Sequence, residues 1–318
     1  MKTCFSLEGK YIWDHWYFKG DEGYYKYFLQ APDRFTPDER HDHASVGCAF
    51  SKDLENWNYL GTIFKAQPET WFNISIWTGS VVKHNNMYFM FFTSRDKREK
   101  NKQRIGLAVS SDPLFSNYEL YYENRPLINV EEAYYEICSP DGMTHWRDPF
   151  IYKENGCFYV LICARKNRGA PDGRGTVALA TSSDMFSWDI EPPLQIPEWF
   201  GQCECPYIYK KNGLYYLHFC THEFSNKFSQ YSDKKPINGD YYLVSKELRG
   251  PYEATSKGPA LFEDSVERVA YDSKIINMKE SSYALFWAKE NHNKVRKFTH
   301  ISPLKLKYLD DGNILADI

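Results

Sequence analysis

The apolar residues of this chain fall into short runs rich in aromatic and β-branched side chains, divided by Gly, Asn, Asp and Ser, and helical periodicity is weak throughout. One unit recurs: a leading polar residue, a short strand, a tight turn and an aromatic returning strand. It occupies 11–32 (YIWDHWYFKGDEGYYKYFLQAP), 77–94 (WTGSVVKHNNMYFMFFTS), 147–165 (RDPFIYKENGCFYVLICAR) and 204–222 (ECPYIYKKNGLYYLHFCTH), with a weaker copy at 270–289 (AYDSKIINMKESSYALFWAK). Turns are expected at Gly23, Asn86, Gly156, Gly213 and Ser281.

A second phrase follows the first four units, at 46–61 (VGCAFSKDLENWNYLG), 105–120 (IGLAVSSDPLFSNYEL), 177–192 (VALATSSDMFSWDIEP) and 241–254 (YYLVSKELRGPYEA). Each reads as a third strand ending in Ser, a turn carrying Asp or Glu, and a fourth, edge-like strand. Four-stranded meanders that repeat along a chain are the mark of propeller blades. A two-sheet sandwich also has many short strands, but nothing in that architecture calls for a repeated hairpin and Ser-x-Asp turn. The expected fold is all-β, a five-bladed β-propeller, with residues 1–318 forming a single domain. The fifth unit shows only two clear strands, so the segment before Tyr11 or after His300 is expected to complete its blade.

Composition changes this picture little. The 318 residues are 42% hydrophobic and 17% aromatic, enough for a packed all-β core. A formal charge of -3 and a pI of about 6.3 supply no electrostatic case for nucleic acid or an anionic membrane as partner. The N-terminal residues lack the apolar core of a secretory signal and no run reaches transmembrane length, so a cytoplasmic location is expected. Eight cysteines are scattered through strand-like segments and read as free buried thiols. Cys203 and Cys205 share one strand face, but no second pair completes a zinc site, and neither disulfides, metal nor cofactor are expected.

The chemistry enters through the leading positions. In a propeller the innermost strand of each blade lines the axis, and its first residues surround one mouth. Those positions hold Asp14, Thr78-Gly79-Ser80, Asp148, Glu204 and Asp272, a carboxylate in four of five blades. Acids needed only for structure would sit in the turns, as Asp53, Asp112 and Asp184 do. Trp13, Trp16, Trp77 and Trp146 flank the same places, and tryptophan beside carboxylates suits a sugar, whose C–H faces stack on rings while its hydroxyls bond to acids. Paired carboxylates fit glycoside hydrolysis, one ionised and one protonated. Asp14 and Glu204 are the natural pair, with Asp148 as a third acid orienting the sugar. Glu204 stands among Cys203, Cys205 and Pro206, an apolar neighbourhood expected to raise its pKa and make it the general acid.

Arg147-Asp148-Pro149 and Glu204-Cys205-Pro206 resemble two signatures of glycoside hydrolase family 32, the invertase and β-fructofuranosidase group. Trp77-Thr78-Gly79-Ser80 resembles that family's Trp-Ser-Gly-Ser segment. Residues 46–57 are similar to its Trp-Gly-His-Ala-x-Ser-x-Asp-Leu-x-x-Trp segment. The resemblance implies a propeller enzyme that cleaves terminal furanosides with retention, Asp14 being nucleophile, Asp148 transition-state stabiliser and Glu204 acid/base. It also implies sugar contacts from Gln30, Arg147, Trp77 and Thr78, to which the positions of Trp13 and Asp272 add two candidates. Of the family's Asn-Asp-Pro-Asn-Gly signature only the aspartate is kept, in Trp13-Asp14-His15-Trp16, and the usual C-terminal β-sandwich is absent. In length the chain is similar to single-domain members of family 43, which share the propeller but invert; an arabinofuranosidase or xylosidase of that kind is the alternative. A propeller that binds sugar without turnover, or a transferase using a sucrose-like donor, also fits the residues. His41 and His43 could reach the mouth but are assigned to its periphery, and Asp172 and Arg174 to a rim loop. The expected partner is a small carbohydrate.

Overall fold

The computed structural model describes residues 3–122, 125–231, 236–262, 268–278, 281–292 and 295–316. Its strands form five antiparallel sheets in chain order. Blade I contains Lys10–Lys19, Tyr24–Pro32, Ser45–Ser51 and Asn58–Phe64. Blade II contains Ile76–His84, Met87–Asp96, Glu99–Ser110 and Tyr118–Tyr121, and blade III Trp146–Glu154, Cys157–Arg165, Gly175–Ser182 and Asp189–Glu191. Blade IV has Glu204–Lys211, Leu214–Thr221 and Gly239–Ser245, and in place of a fourth strand a two-hydrogen-bond bridge joins Val244 to Glu253. The all-β, five-bladed propeller predicted from the repeats is the observed fold. Among the described residues no helix is long and apolar enough to cross a membrane.

The inner hairpins close where the sequence places them. Asn85-Asn86, Asn155-Gly156 and Asn212-Gly213 all have positive φ, the two-residue geometry whose twist matches that of the strands it joins. The Ser-x-Asp phrase builds a recurrent cap on the other side of the blade. Ser182 Oγ accepts Asp184 N and Met185 N, and Asp184 Oδ1 accepts Phe186 N and Ser187 N, so the turn is held by side chains alone. Ser51 and Asp53 repeat the arrangement in blade I.

Middle strands are apolar on both faces because each blade is covered on both sides. Met90 and Phe92 pack toward blade I with Trp16, Tyr27 and Leu29, whereas Phe89 and Phe91 pack toward blade III with Val160 and Ile162. Leu161 then faces blade IV with Ile208 and Leu217. Alternation along a single strand thus feeds two inter-blade cores.

Blade V draws on both ends of the chain. Arg268–Asn277 pairs with Ser282–His292, which pairs in turn with Val295–Ile301, and Thr3–Phe5 adds to the far edge of that strand. Leu304–Tyr308 covers the rest of Ser282–His292 and carries Ile314–Ala316. The segments before Tyr11 and after His300 therefore both supply strands. Of the eight cysteines, five are buried: Cys48, Cys163, Cys203, Cys205 and Cys220.

Candidate active site

In every blade the register of the innermost strand slips near its start. The slips fall at Trp13/His15, Trp77/Gly79, Arg147/Phe150, Glu204/Tyr207 and Tyr271/Lys274. The residue extruded by each slip is Asp14, Thr78, Asp148, Cys205 or Asp272. Four of these carry positive φ: 27° at Asp14, 60° at Asp148, 50° at Cys205 and 54° at Asp272. Bulges re-aim side chains, and strained non-glycine backbone gathered around one axis is a sign of function. At Gly79 the backbone passes so close to blade II's next strand that a Cβ would lie 1.9 Å from Phe91 O.

The slips correct the equivalence read from the sequence. Glu204 pairs with Cys220 before its slip, as Arg147 does with Cys163. Glu204 therefore belongs to an upper ring with Trp13, Trp77, Arg147 and Tyr271, and Cys205 takes the bulge position level with Asp14 and Asp148. Two rings, one residue apart, replace the single ring of carboxylates.

The upper ring, with Asp14, Thr78, Asp148 and Cys205, lines a cavity of about 750 Å³. Thr78 Oγ1 donates to Asp14 Oδ2 at 2.9 Å and Trp287 Nε1 donates to Oδ1 at 3.1 Å, so both oxygens of the carboxylate are oriented. Asp148 is 5% exposed; Cys205 N donates to its Oδ2 at 3.0 Å, and Arg147 Nε stands 3.5 Å away. Arg147 Nη2 bonds Glu204 Oε1 at 2.7 Å and also Gln202, while Nη1 meets His145 Nδ1 at 2.9 Å. Glu204 Oε2 accepts the Tyr271 hydroxyl and lies 3.4 Å from His222 Nδ1.

These partners reverse the charge expected at Glu204. Burial would lift its carboxyl, but His222, Arg147 and Tyr271 together hold it well below the usual carboxylate range. The neighbours in sequence, Cys203 and Cys205, are not among these partners of the carboxyl oxygens. Burial instead lifts Asp148 to about 7, the nearby Asp14 charge adding to the effect and Arg147 opposing it. Asp14 is also raised, by burial first and Glu204 next. In the free site a proton is held by the aspartates more readily than by Glu204.

Other predicted residues divide. Trp13 and Trp77 line the cavity, with Arg40 5.0 Å from the Trp13 ring and Arg95 4.2 Å from that of Trp77. Trp16 stacks on Tyr27 and Trp146 packs against Tyr135, both in inter-blade cores. Gln30 is not among the residues that line the cavity. It is 2% exposed on the opposite face of its strand from Leu29, and bonds Tyr59 at 2.9 Å and Thr62 at 2.6 Å. Asp272, 1% exposed, lies beneath the cavity in an ion pair with Lys274 rather than at its surface. His41 does line the cavity, and its backbone carbonyl accepts Trp77 Nε1 at 2.8 Å; His43 stacks outside on Phe35. Asp172 and Arg174 do not line the cavity and bond to Asn226 N and Glu136.

Sequence reasoning missed Tyr271, His222, Trp287, Gln202 and His145. Tyr271 and Trp287 were open to discovery, being the blade V counterparts of Glu204 and its cross-strand neighbour. His145 precedes the third unit and His222 closes the fourth, and neither recurs at the matching place in the other copies. One ligand atom each from Asp14, Cys205 and Asp272 lies within 4.8 Å of the others, the one such triad among the described residues. It already contains a cation, because the Lys274 ammonium bonds Asp272 and approaches Cys205 O at 3.5 Å.

Comparison with known proteins places this geometry. The family model "Glycosyl hydrolases family 43" matches residues 10–307. An extracellular sucrase of Zymomonas mobilis is 25% identical over 291 residues, covering 76% of this chain and 68% of the sucrase. Among solved structures, inulosucrase from Halalkalicoccus jeotgali bound to kestose superposes with a TM-score of 0.79 at 19% identity, over 98% of this chain and 87% of that one. Bacillus subtilis levansucrase gives 0.75 at 14% identity, over 100% and 88%. The family 32 signatures thus mark kinship with sucrase- and invertase-like propellers, while the family model matched is that of family 43. The chain is a glycosidase and belongs to glycosyl hydrolases family 43.

Proposed function

We propose that this glycosidase releases a terminal β-fructofuranosyl unit from a small neutral sugar, with retention of configuration. Asp14 attacks the anomeric carbon, Glu204 gives its proton to the departing oxygen, and the same carboxylate then deprotonates the water that breaks the glycosyl ester. Asp148, between them, bears on the ring hydroxyls and the positive charge of the transition state. The observation that carries this reading is the orientation of Asp14 by Thr78 and Trp287 on the cavity wall shared with Glu204 and Asp148. The 25% identity to a sucrase supports the choice of sugar. Because Glu204 is held ionised in the free site, the acid role requires the sugar to part Oε2 from His222 and Tyr271, which lets the carboxyl take up a proton.

The test is hydrolysis of sucrose and short fructans, followed by NMR of the first anomer released. Asp14→Asn and Glu204→Gln are each expected to lower kcat/KM by on the order of 10³-fold. Full activity in both variants would sink the assignment. The family 43 match favours a second reading, an inverting arabinofuranosidase or xylosidase in which Asp14 activates water. Release of the inverted anomer, or turnover of arabinofuranosides or xylosides in place of fructofuranosides, selects it.

A further inference from the structure

We propose that Lys274 and Asp272 form a positioning pair beneath the site, tying together the bulges that carry Asp14 and Asp148 and supplying a fixed positive charge under Asp14; this rests on the assignment of Asp14 as nucleophile. The pair touches the backbone beside both carboxylates. Asp272 Oδ2 accepts the N–H of His15, the residue after Asp14, at 2.6 Å. Lys274 Nζ bonds Asp272 Oδ1 and lies 3.5 Å from Cys205 O, while Cys205 N donates to Asp148 Oδ2 at 3.0 Å. A chain of contacts thus runs from the Asp14 bulge through Asp272 and Lys274 to the Cys205 bulge, and so to Asp148. All three bulges have positive φ, a conformation that persists only where the surroundings enforce it.

The same pair bears on charge. Asp14 faces Thr78 and Trp287, which donate to it, Glu204 and Arg40 around the cavity, Asp148 at the next bulge position but one, and Cys205 with Asp272 below. Lys274 faces Asp272, the Cys205 carbonyl, the Cys220 thiol and the Tyr207 ring 4.9 Å away. Burial raises the Asp14 carboxyl, and the positive charges opposing that rise are Arg40 and Lys274. Arg40 sits on a short helix at the mouth, whereas Lys274 sits on the innermost strand of blade V and cannot swing away.

The experiment compares wild type with Lys274→Met, Lys274→Arg and Asp272→Asn. Asp14 is titrated directly through its ¹³C-carboxyl resonance, assigned by the loss of that signal in Asp14→Asn, and kcat and KM are followed against pH. In Lys274→Met the Asp14 titration and the acid limb of kcat/KM should move up by about one pH unit or more. Its kcat should fall by on the order of 10-fold or more, with KM within about 3-fold of wild type. Lys274→Arg should stay near wild type, and Asp272→Asn should move the Asp14 titration in the opposite direction. Melting curves identify folded variants. A stability loss with Asp14 titration and pH profile unmoved in Lys274→Met overturns the proposal; if that variant does not fold, an unmoved titration in Asp272→Asn does so. Should Asp14 respond as expected while wild type turns over no fructofuranoside, the pair stands and the substrate assignment falls.

Discussion

Asp148 shows how a single residue can be costly to the fold where it is useful to the site. Its pKa in the unfolded chain is that of an ordinary aspartate, near 3.8, and burial lifts it to about 7 in the folded protein. The folded state therefore binds more protons between those values, and stability falls as pH rises through that window. Asp148→Asn removes the penalty. Its melting temperature should exceed that of wild type at pH 8, by about 2–4 °C for each kcal/mol relieved, and the gap should close below pH 4, in melts followed by circular dichroism. Turnover should fall at the same time, a trade of activity against stability. The identities of Asp14, Asp148 and Glu204 were legible in the sequence; their charges were not. Cys203 and Cys205, the neighbours of Glu204 along the chain, suggested an apolar setting, but its oxygens meet Arg147 from blade III and Tyr271 from blade V.

Individual strands and turns were the most legible level. Positive-φ Asn and Gly residues and Ser-x-Asp side-chain bonds act within a few residues of themselves, so the pattern that specifies them is local. Inter-blade placement is not local, and Lys26 shows the difference. It lies in the aromatic strand Tyr24–Pro32, fully buried, with Nζ 3.9 Å from the Trp57 ring and no hydrogen-bond partner among the described residues. Burial lowers its pKa to about 7. Between about pH 10.5 and 7 the unfolded chain takes up the proton before the folded one does, so stability drops as pH falls through that range. Lys26→Met should raise the melting temperature at pH 7, with the gain fading above pH 10.5. An unchanged melt would show that the cation–π contact with Trp57 offsets the burial.

At the scale of the whole molecule, the ring closes on the N-terminal strand. Thr3–Phe5 pairs with Val295–Ile301, and Phe5 packs on Ile12, Phe28 and Ala49 of blade I. Removing residues 1–8 leaves a blade edge open and should lower the melting temperature by on the order of 10 °C. The sequence by itself determined the number of blades, the hairpins within them and the acids near the axis, because turn chemistry and strand alternation are read between neighbours in the chain. Tertiary structure alone decided that Glu204 stands one level above Asp14, Asp148 and Asp272, since a register slip is set by the facing strand. It also left Gln30 off the cavity wall, paired Asp272 with Lys274 beneath it and set the charge on each carboxylate. Those outcomes depend on burial and on charges gathered from separate blades, which are neighbours only once the ring has closed.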